Sequence, residues 1–468
     1  MNLKCLAILV SMAWMLQLSG AAQTRMPDFF SNGMVLQQQT AAPIWGTDKP
    51  NVKVTIKASW GKQATTTADA NGRWKLPLPT PAAGGPYNIN ISASNNIELN
   101  DVWIGEVWLC SGQSNMEMPV KGYTNQPVLG SNEAILQSTN PQIRFYHTAR
   151  AYSLQPQYNA VGSWKAASPE HTPNFSATAY FFAKKINAVL NVPVGIIQSA
   201  WGASTIESWM DSVTLTAFPQ VTIPAALPAQ NPNRTPMLLY NGMIHPYVGY
   251  GIKGVLWYQG EANRENAHDY TALFSAMIGA WRQQWQQGDF PFYFVQIAPF
   301  EPGKVNAADL RQAQLQTMLQ VKHTGMVVTL DIGEKNVIHP AQKETVGNRL
   351  AYWALAKNYG ISNLAFSGPV FKQIVSMVKG RLVLLFDYAS NGLSSFGKPL
   401  QGFEVAAADK QFYPANAAIV ADKPGQLTVW SEQVPNPVYV RYAYSSWAEA
   451  SLFNTAGLPA SSFTTIVH

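Results

Sequence analysis

Between residues 101 and 364, near-continuous apolar runs alternate with stretches of helical spacing. That alternation constrains the fold more than any other feature of the chain. The runs cover residues 102–110, 194–199, 253–258, 292–297 and 326–332. A strand covered on both faces needs no alternating polar positions, so runs of this kind belong in a parallel sheet between layers of helix. Helical spacing fills the gaps. Tyr270, Leu273, Phe274, Met277, Ile278 and Trp281 recur at intervals of three and four, the mark of one buried helix face. Residues 177–190 and 342–359 read the same way. Strands with interleaved helices predict a three-layer α/β domain over residues 101–364.

On either side the period changes to two. Val52-Lys53-Val54-Thr55-Ile56-Lys57-Ala58 and Tyr87-Asn88-Ile89-Asn90-Ile91-Ser92 alternate, and Asn71-Gly72 precedes a new run at Arg73-Trp74. An Asn-Gly pair between alternating segments is a strong hairpin signal. Residues 23–100 are therefore expected to form a small N-terminal β-sandwich. Alternation returns in Arg381-Leu382-Val383-Leu384-Leu385-Phe386, in Gln426-Leu427-Thr428-Val429-Trp430 and in Val438-Tyr439-Val440-Arg441-Tyr442. It predicts a C-terminal β region over residues 365–468. The proline-rich segment from Pro224 to Pro236 is expected to be a loop covering part of the α/β domain.

Composition narrows the function classes. At 468 residues the chain has room for about three domains. Charged residues make up only 12% and the net charge of +6 is spread without a Lys/Arg run, so a nucleic-acid partner is not expected. Two cysteines exclude a disulfide framework and a Cys-based zinc site. No histidine pair has metal-ligand spacing, so neither a metal nor another cofactor is expected. Lys4, the apolar run over residues 5–18 and the small residues Gly20-Ala21-Ala22 form a signal-peptide pattern over residues 1–22, too short for a membrane anchor. Its removal takes Cys5 and leaves Cys110 without an intramolecular partner. The expectation is an exported protein, periplasmic or secreted, with no membrane insertion after cleavage. No signal in the sequence sets an oligomeric state.

Chemistry enters where the runs end. Ser111-Gly112-Gln113-Ser114-Asn115-Met116 follows the 102–110 run, and open α/β sheets bind ligands just beyond the carboxyl ends of their strands. A serine nucleophile needs a base. This is not the Gly-x-Ser-x-Gly elbow, because Met116 occupies the last position, and alone such a motif more often marks a turn or a helix cap. The candidate base is His339, which follows the last run and precedes Pro340, well placed to start a helix. His245, in Asn241-Gly242-Met243-Ile244-His245-Pro246, is its rival. Acyl transfer also needs donors aimed at the oxyanion. The backbone N–H groups of Ser114 and Gly202, with the side chain of Gln259 or Asn263, are the candidates. Gln113 and Asn115, on either side of Ser114, are candidate substrate-binding residues, as is His245.

Five blocks occur in a fixed order: Trp108-Leu109-Cys110-Ser111-Gly112-Gln113-Ser114-Asn115-Met116, Trp201-Gly202-Ala203-Ser204, Leu239-Tyr240-Asn241-Gly242-Met243-Ile244-His245-Pro246, Trp257-Tyr258-Gln259-Gly260-Glu261 and Ile338-His339-Pro340. Together they resemble the sialate O-acetylesterase family of SGNH-type hydrolases. The likeness spans the chain after residue 22, including the closing Gly457-Leu458-Pro459-Ala460-Ser461. It implies a flavodoxin-like sheet, Ser114 as nucleophile, His339 as general base, and Gly202 and Gln259 at oxyanion positions. It implies an O-acetylated glycan substrate, O-acetylated sialic acid first and acetylxylan or another polysaccharide as the alternative. A carbohydrate-binding protein without catalysis is a distant third, and the intact Ser114 and His339 speak against it. Two departures stand out. Ala203 replaces a glycine usual in the family, which is mild if its φ is negative. The position three before His339, where such enzymes commonly carry Asp, is Asn336. Asp331 and Glu334 are the remaining candidates to orient the ring. A backbone carbonyl near Asn336 is the other possibility, leaving a Ser–His dyad. An ordinary histidine base would give a rate rising through about pH 6–7.

Overall fold

Seventeen consecutive residues, Asn96–Gly112, form one strand. In this computed structural model, which describes residues 23–301 and 305–466, the fold is arranged around it. The first half of the strand pairs antiparallel with Gly84–Ser92 and parallel with Val35–Gln37. The second half lies inside a parallel sheet, between Val194–Ala200 and Gly254–Tyr258. Phe292–Val295 and then Thr324–Val327 extend that sheet on one side. Asn140–His147 extends it on the other, with Trp164–Ala167 antiparallel at the edge. All five expected runs are therefore neighbours in one sheet. The boundary expected at residues 100/101 falls inside the long strand, so the N-terminal β layer and the central sheet share a strand, with no linker between them. The expected signal peptide, residues 1–22, lies outside the described residues.

Side chains alternate across a strand, and both faces of this one are covered. Val107 and Leu109 join a cluster with Leu273, Phe274 and Trp281 of the Ala267–Trp285 helix. Trp108 and Cys110 join another with Phe181 and Phe182 of Ala177–Leu190 and with Val346 and Leu350 of Lys343–Asn358. Each fully buried side chain of this size contributes roughly 1.5–3 kcal/mol. Cys110 is a buried free thiol. Two elements of this layer system carry weak apolar patterns. Strand Asn140–His147 has Arg144 in its middle, buried and paired with Asp101 at 2.6 Å. Helix Ala307–Gln320 buries Arg311, Gln314 and Thr317 among its apolar residues.

The C-terminal region folds as two four-stranded antiparallel sheets, one built on Val370–Val378 and Arg381–Asp387, the other on Phe403–Ala406 and Tyr439–Tyr442, with a two-stranded pair of Leu393–Ser394 and Phe453–Asn454. It is bolted to the α/β layers by Arg311. That side chain is fully buried and donates to Ser462 Oγ and to the carbonyl oxygens of Ala443 and Ser445. Burial pushes its pKa down to about 10, which leaves it charged at neutral pH. From the sheet side, Gln296 donates to Ser461 Oγ at 2.9 Å. Among the described residues no helix is long and apolar enough to cross a membrane.

Replacing Arg311 with alanine strands several buried acceptors. With charge-assisted hydrogen bonds at about 1.5–3 kcal/mol each, the expected loss is about 3 kcal/mol or more of unfolding free energy, read as a lower urea midpoint.

Candidate active site

Gly112 ends the long strand because nothing larger fits there. Its φ is +132°, and a Cβ would lie 2.2 Å from the carbonyl oxygen of Tyr258. The chain turns through Gln113 into a single helical turn, Ser114–Glu117. Gln113 is buried; its Oε1 accepts from the backbone N–H groups of Gly260 and Ala262 at 3.2 and 3.3 Å. It braces the ends of two neighbouring strands, whereas the sequence placed it against substrate.

The Ser114 hydroxyl donates to Nε2 of His339 at 2.8 Å. The other ring nitrogen, Nδ1–H, donates to Oε1 of Gln126. Gln126 was not among the sequence candidates. It closes a tight turn in which Tyr123 and Gln126 exchange two backbone hydrogen bonds of 3.0 Å, with Asn125 at φ +60°. The same turn lays the Tyr123 ring edge-on to His339 at 5.4 Å. A polar turn before Pro127 is visible in the sequence; its meeting with a histidine 213 residues away is not.

Neither candidate carboxylate reaches the ring. Asp331 is held by the guanidinium of Arg349 through contacts of 2.8 and 2.5 Å. Glu334 accepts from the backbone N–H of Ala341 at 3.1 Å and closes the loop that carries His339. His245 also lies elsewhere: its Nδ1–H donates to the Gln157 carbonyl at 2.7 Å. Its block forms a π-helical turn, Tyr240–Ile244, and Asn241 donates to the carbonyls of Ser153 and Leu154. That motif anchors the segment carrying Arg150 and Tyr152 toward the site.

Beneath the nucleophile sits a buried polar cluster. Asn115 is fully buried and cannot touch substrate. Its Nδ2 donates to Glu261 at 2.6 Å and to the Ile338 carbonyl at 3.1 Å, and its Oδ1 accepts from Lys343. One amide thus ties the serine turn to the residue before His339. Burial pushes Lys343 down to about 7 and raises Glu261. Burial, and then the Lys343 cation, lower His339 from 6.5 to about 4.

The oxyanion side departs furthest from expectation. Gly202 does lie against Ser114; a Cβ on it would sit 3.4 Å from Ser114 Cβ. Its N–H, however, donates to Glu117 Oε2 at 2.8 Å, and Arg150 holds the other oxygen of Glu117 at 2.6 Å. Gln259 is buried with its amide consumed: Nε2 donates to Ser204 O and Asn263 Oδ1, and Oε1 accepts from Tyr270. Asn263 is committed likewise, donating to both Glu207 oxygens. These two amides lock the turn beside the site and do not face its mouth. Ala203 has φ +57°, in the left-handed region, where a Cβ costs roughly 1–2 kcal/mol. The mild reading of that substitution does not hold. The expected proline-rich loop buttresses this strained turn, with Asn233 donating to Gly202 O at 2.7 Å and Arg234 to Ala203 O at 3.2 Å.

Residues 104–356, more than half of the chain, match a family model described as carbohydrate esterase, sialic acid-specific acetylesterase. The sialate O-acetylesterase of Homo sapiens is 29% identical over 90% of this chain and 88% of its own. That of Mus musculus is 28% identical over 94% of each. The crystal structure of a carbohydrate acetylesterase from Xanthomonas citri matches with a TM-score of 0.87 at 39% identity, covering 95% of this chain and 100% of the other.

Substituting Asn115 with alanine removes the clamp between the two loops and leaves Glu261 and Lys343 without their shared partner. The expected result is about 2–3 kcal/mol of lost stability and a kcat reduced about tenfold or more with little change in KM. Paired thermal melts and steady-state kinetics read both.

Proposed function

The chain belongs to the family of sialic acid-specific carbohydrate acetylesterases, and we propose that it removes O-acetyl groups from sialic acids through a Ser114–His339 pair oriented by the Gln126 amide. It is a carboxylic ester hydrolase acting on acetylated carbohydrate. The observation that carries the mechanism is the 2.8 Å contact from Ser114 Oγ to His339 Nε2. His339 takes the hydroxyl proton as Ser114 attacks the acetyl carbonyl carbon. The carbonyl electrons move to oxygen, and the oxyanion meets the backbone N–H of Ser114. The Gly202 N–H is a second donor, for which the oxyanion competes with Glu117. Collapse of the intermediate breaks the bond to the sugar oxygen, which leaves with the proton from His339. Water, deprotonated by the same ring, then attacks the acetyl-serine carbonyl, the bond to Ser114 Oγ breaks, the ring returns its proton to Oγ, and acetate is released.

Sialic acid is favoured by the family and by relatives that are sialate esterases over nine-tenths of this chain. The half-exposed Arg150 guanidinium stands over the Trp201 ring at 5.3 Å and is paired with Glu117, so only its remaining N–H groups are left for a sugar carboxylate. A second reading, a neutral polysaccharide ester, draws on the higher identity to the Xanthomonas citri carbohydrate acetylesterase. The export reading rests on the pattern in residues 1–22.

Acetate release from O-acetylated sialic acid and from acetylated xylan, measured side by side, separates the two readings. Ser114→Ala and His339→Ala should each bring release to background while the melting curve is kept. Activity retained in the His339 variant would remove it as the base.

A base works in its neutral form. With His339 lowered to about 4, kcat/KM should rise through about pH 4 and stay level through pH 6–7. The rise through 6–7 expected of an ordinary histidine should be displaced downward, because burial and the Lys343 cation both lower the ring. Gln126→Glu supplies that carboxylate and should move the acid limb upward, toward the unperturbed value of about 6.5.

A further inference from the structure

A cavity of about 770 Å³ opens between the N-terminal β layer and the segment that runs from the catalytic mouth, and it takes no part in the reaction described above. Its volume lies within the range of ligand sites, about 300–1,000 Å³. Trp45 and the exposed Tyr158 form aromatic walls. Arg25, Arg73, Lys75 and Asp28 also line it, and among the described residues none of the four makes an ion pair. Two of the cations rest on rings instead. Arg73 lies 4.5 Å over Tyr158, and Lys75 lies 5.5 Å over Trp45. A fifth charge, Asp69, is turned into its own hairpin, where Oδ1 accepts from the N–H groups of Asn71 and Arg73 at 2.8 Å each. The lining therefore carries three cations against two carboxylates, one of them, Asp69, held on backbone N–H groups, and its net charge is positive.

Aromatic walls suit the apolar face of a sugar ring, and cations held on rings without anionic partners suit a carboxylate. We propose that this cavity is a second glycan site, taking an acidic sugar unit of the chain whose acetyl group is removed at Ser114. The proposal rests on the sialic acid reading of the substrate. The two sites are joined by one stretch of backbone. Arg150 touches Glu117 of the catalytic turn, and Tyr158, eight residues on, walls the cavity. Eight extended residues span about 29 Å at most, which bounds the distance a glycan chain must bridge between Arg150 and the cavity wall. In that arrangement the cavity holds the polymer while the mouth reads the ester.

Titration calorimetry of the full chain with unacetylated 3′-sialyllactose, with lactose as the neutral control, reads the cavity independently of turnover. A failure of the sialic acid substrate therefore leaves this test standing. Sialyllactose should bind at least about tenfold more tightly than lactose and lose affinity as salt is raised. Tyr158→Ala and Arg25→Ala replace exposed side chains, and each should weaken binding about tenfold. The same variants should raise KM for an O-acetylated sialoglycan polymer and leave KM for the free O-acetylated monosaccharide unchanged. No binding, equal binding of lactose, or full binding in both variants overturns the proposal. So does an equal rise in KM for monosaccharide and polymer, which would place these residues at the mouth.

Discussion

The geometry of the site depends on where the Asn96–Gly112 strand is forced to stop. Its inner half is locked between two parallel neighbours, so its end has no freedom to drift. Gly112 then passes so close to Tyr258 that only a residue without Cβ can occupy the position. The serine turn begins from that fixed point. Because the same strand starts in the N-terminal β layer, the outer β structure and the turn that carries Ser114 share one strand.

A second constraint places the base. His339 lies on a loop, and loops need external support to hold a catalytic distance. Here the support is a single buried amide. Asn115 binds the carbonyl just before His339 while Lys343 and Glu261 saturate its remaining polar atoms. The arrangement places a cation below the site and a neutral amide, in place of a carboxylate, behind the histidine ring. Both features favour neutral imidazole. With its pKa lowered to about 4, the ring is a weaker base than one that faces a carboxylate. The turn at Gly202 and Ala203 beside Ser114 is also strained, with Ala203 in the left-handed region, Glu117 on the Gly202 amide and the proline-rich loop supporting it from outside.

Much of this was legible in the chain. The apolar runs predicted the sheet because parallel strands covered on both sides leave a plain signature. Asn140–His147 and Ala307–Gln320 escaped because each buries an arginine whose partners lie far away in sequence, Asp101 for Arg144 and residues 443–462 for Arg311. Ser114 stood out just beyond a strand end, and His339 in a loop, both within blocks that resemble the family. Gln259, Asn263 and Asn115 stood out equally, yet all three face inward. A polar residue in a motif beside a site reads the same whether it touches substrate or holds the wall.

The sequence by itself determined the layer order and the strand that delivers Ser114, because these follow from local periodicity, while the pairing of Ser114 with His339 is what the family resemblance implies. Only the tertiary structure decided which group holds the histidine, which amides remain to meet an oxyanion, and how the C-terminal sheets attach. Those outcomes depend on contacts between residues hundreds of positions apart, such as Gln126 with His339. A hydrogen bond of that kind leaves no periodic trace in either partner's neighbourhood. The sign of φ at Ala203 belongs with them, since alanine favours the opposite region and surrounding contacts impose the strained one.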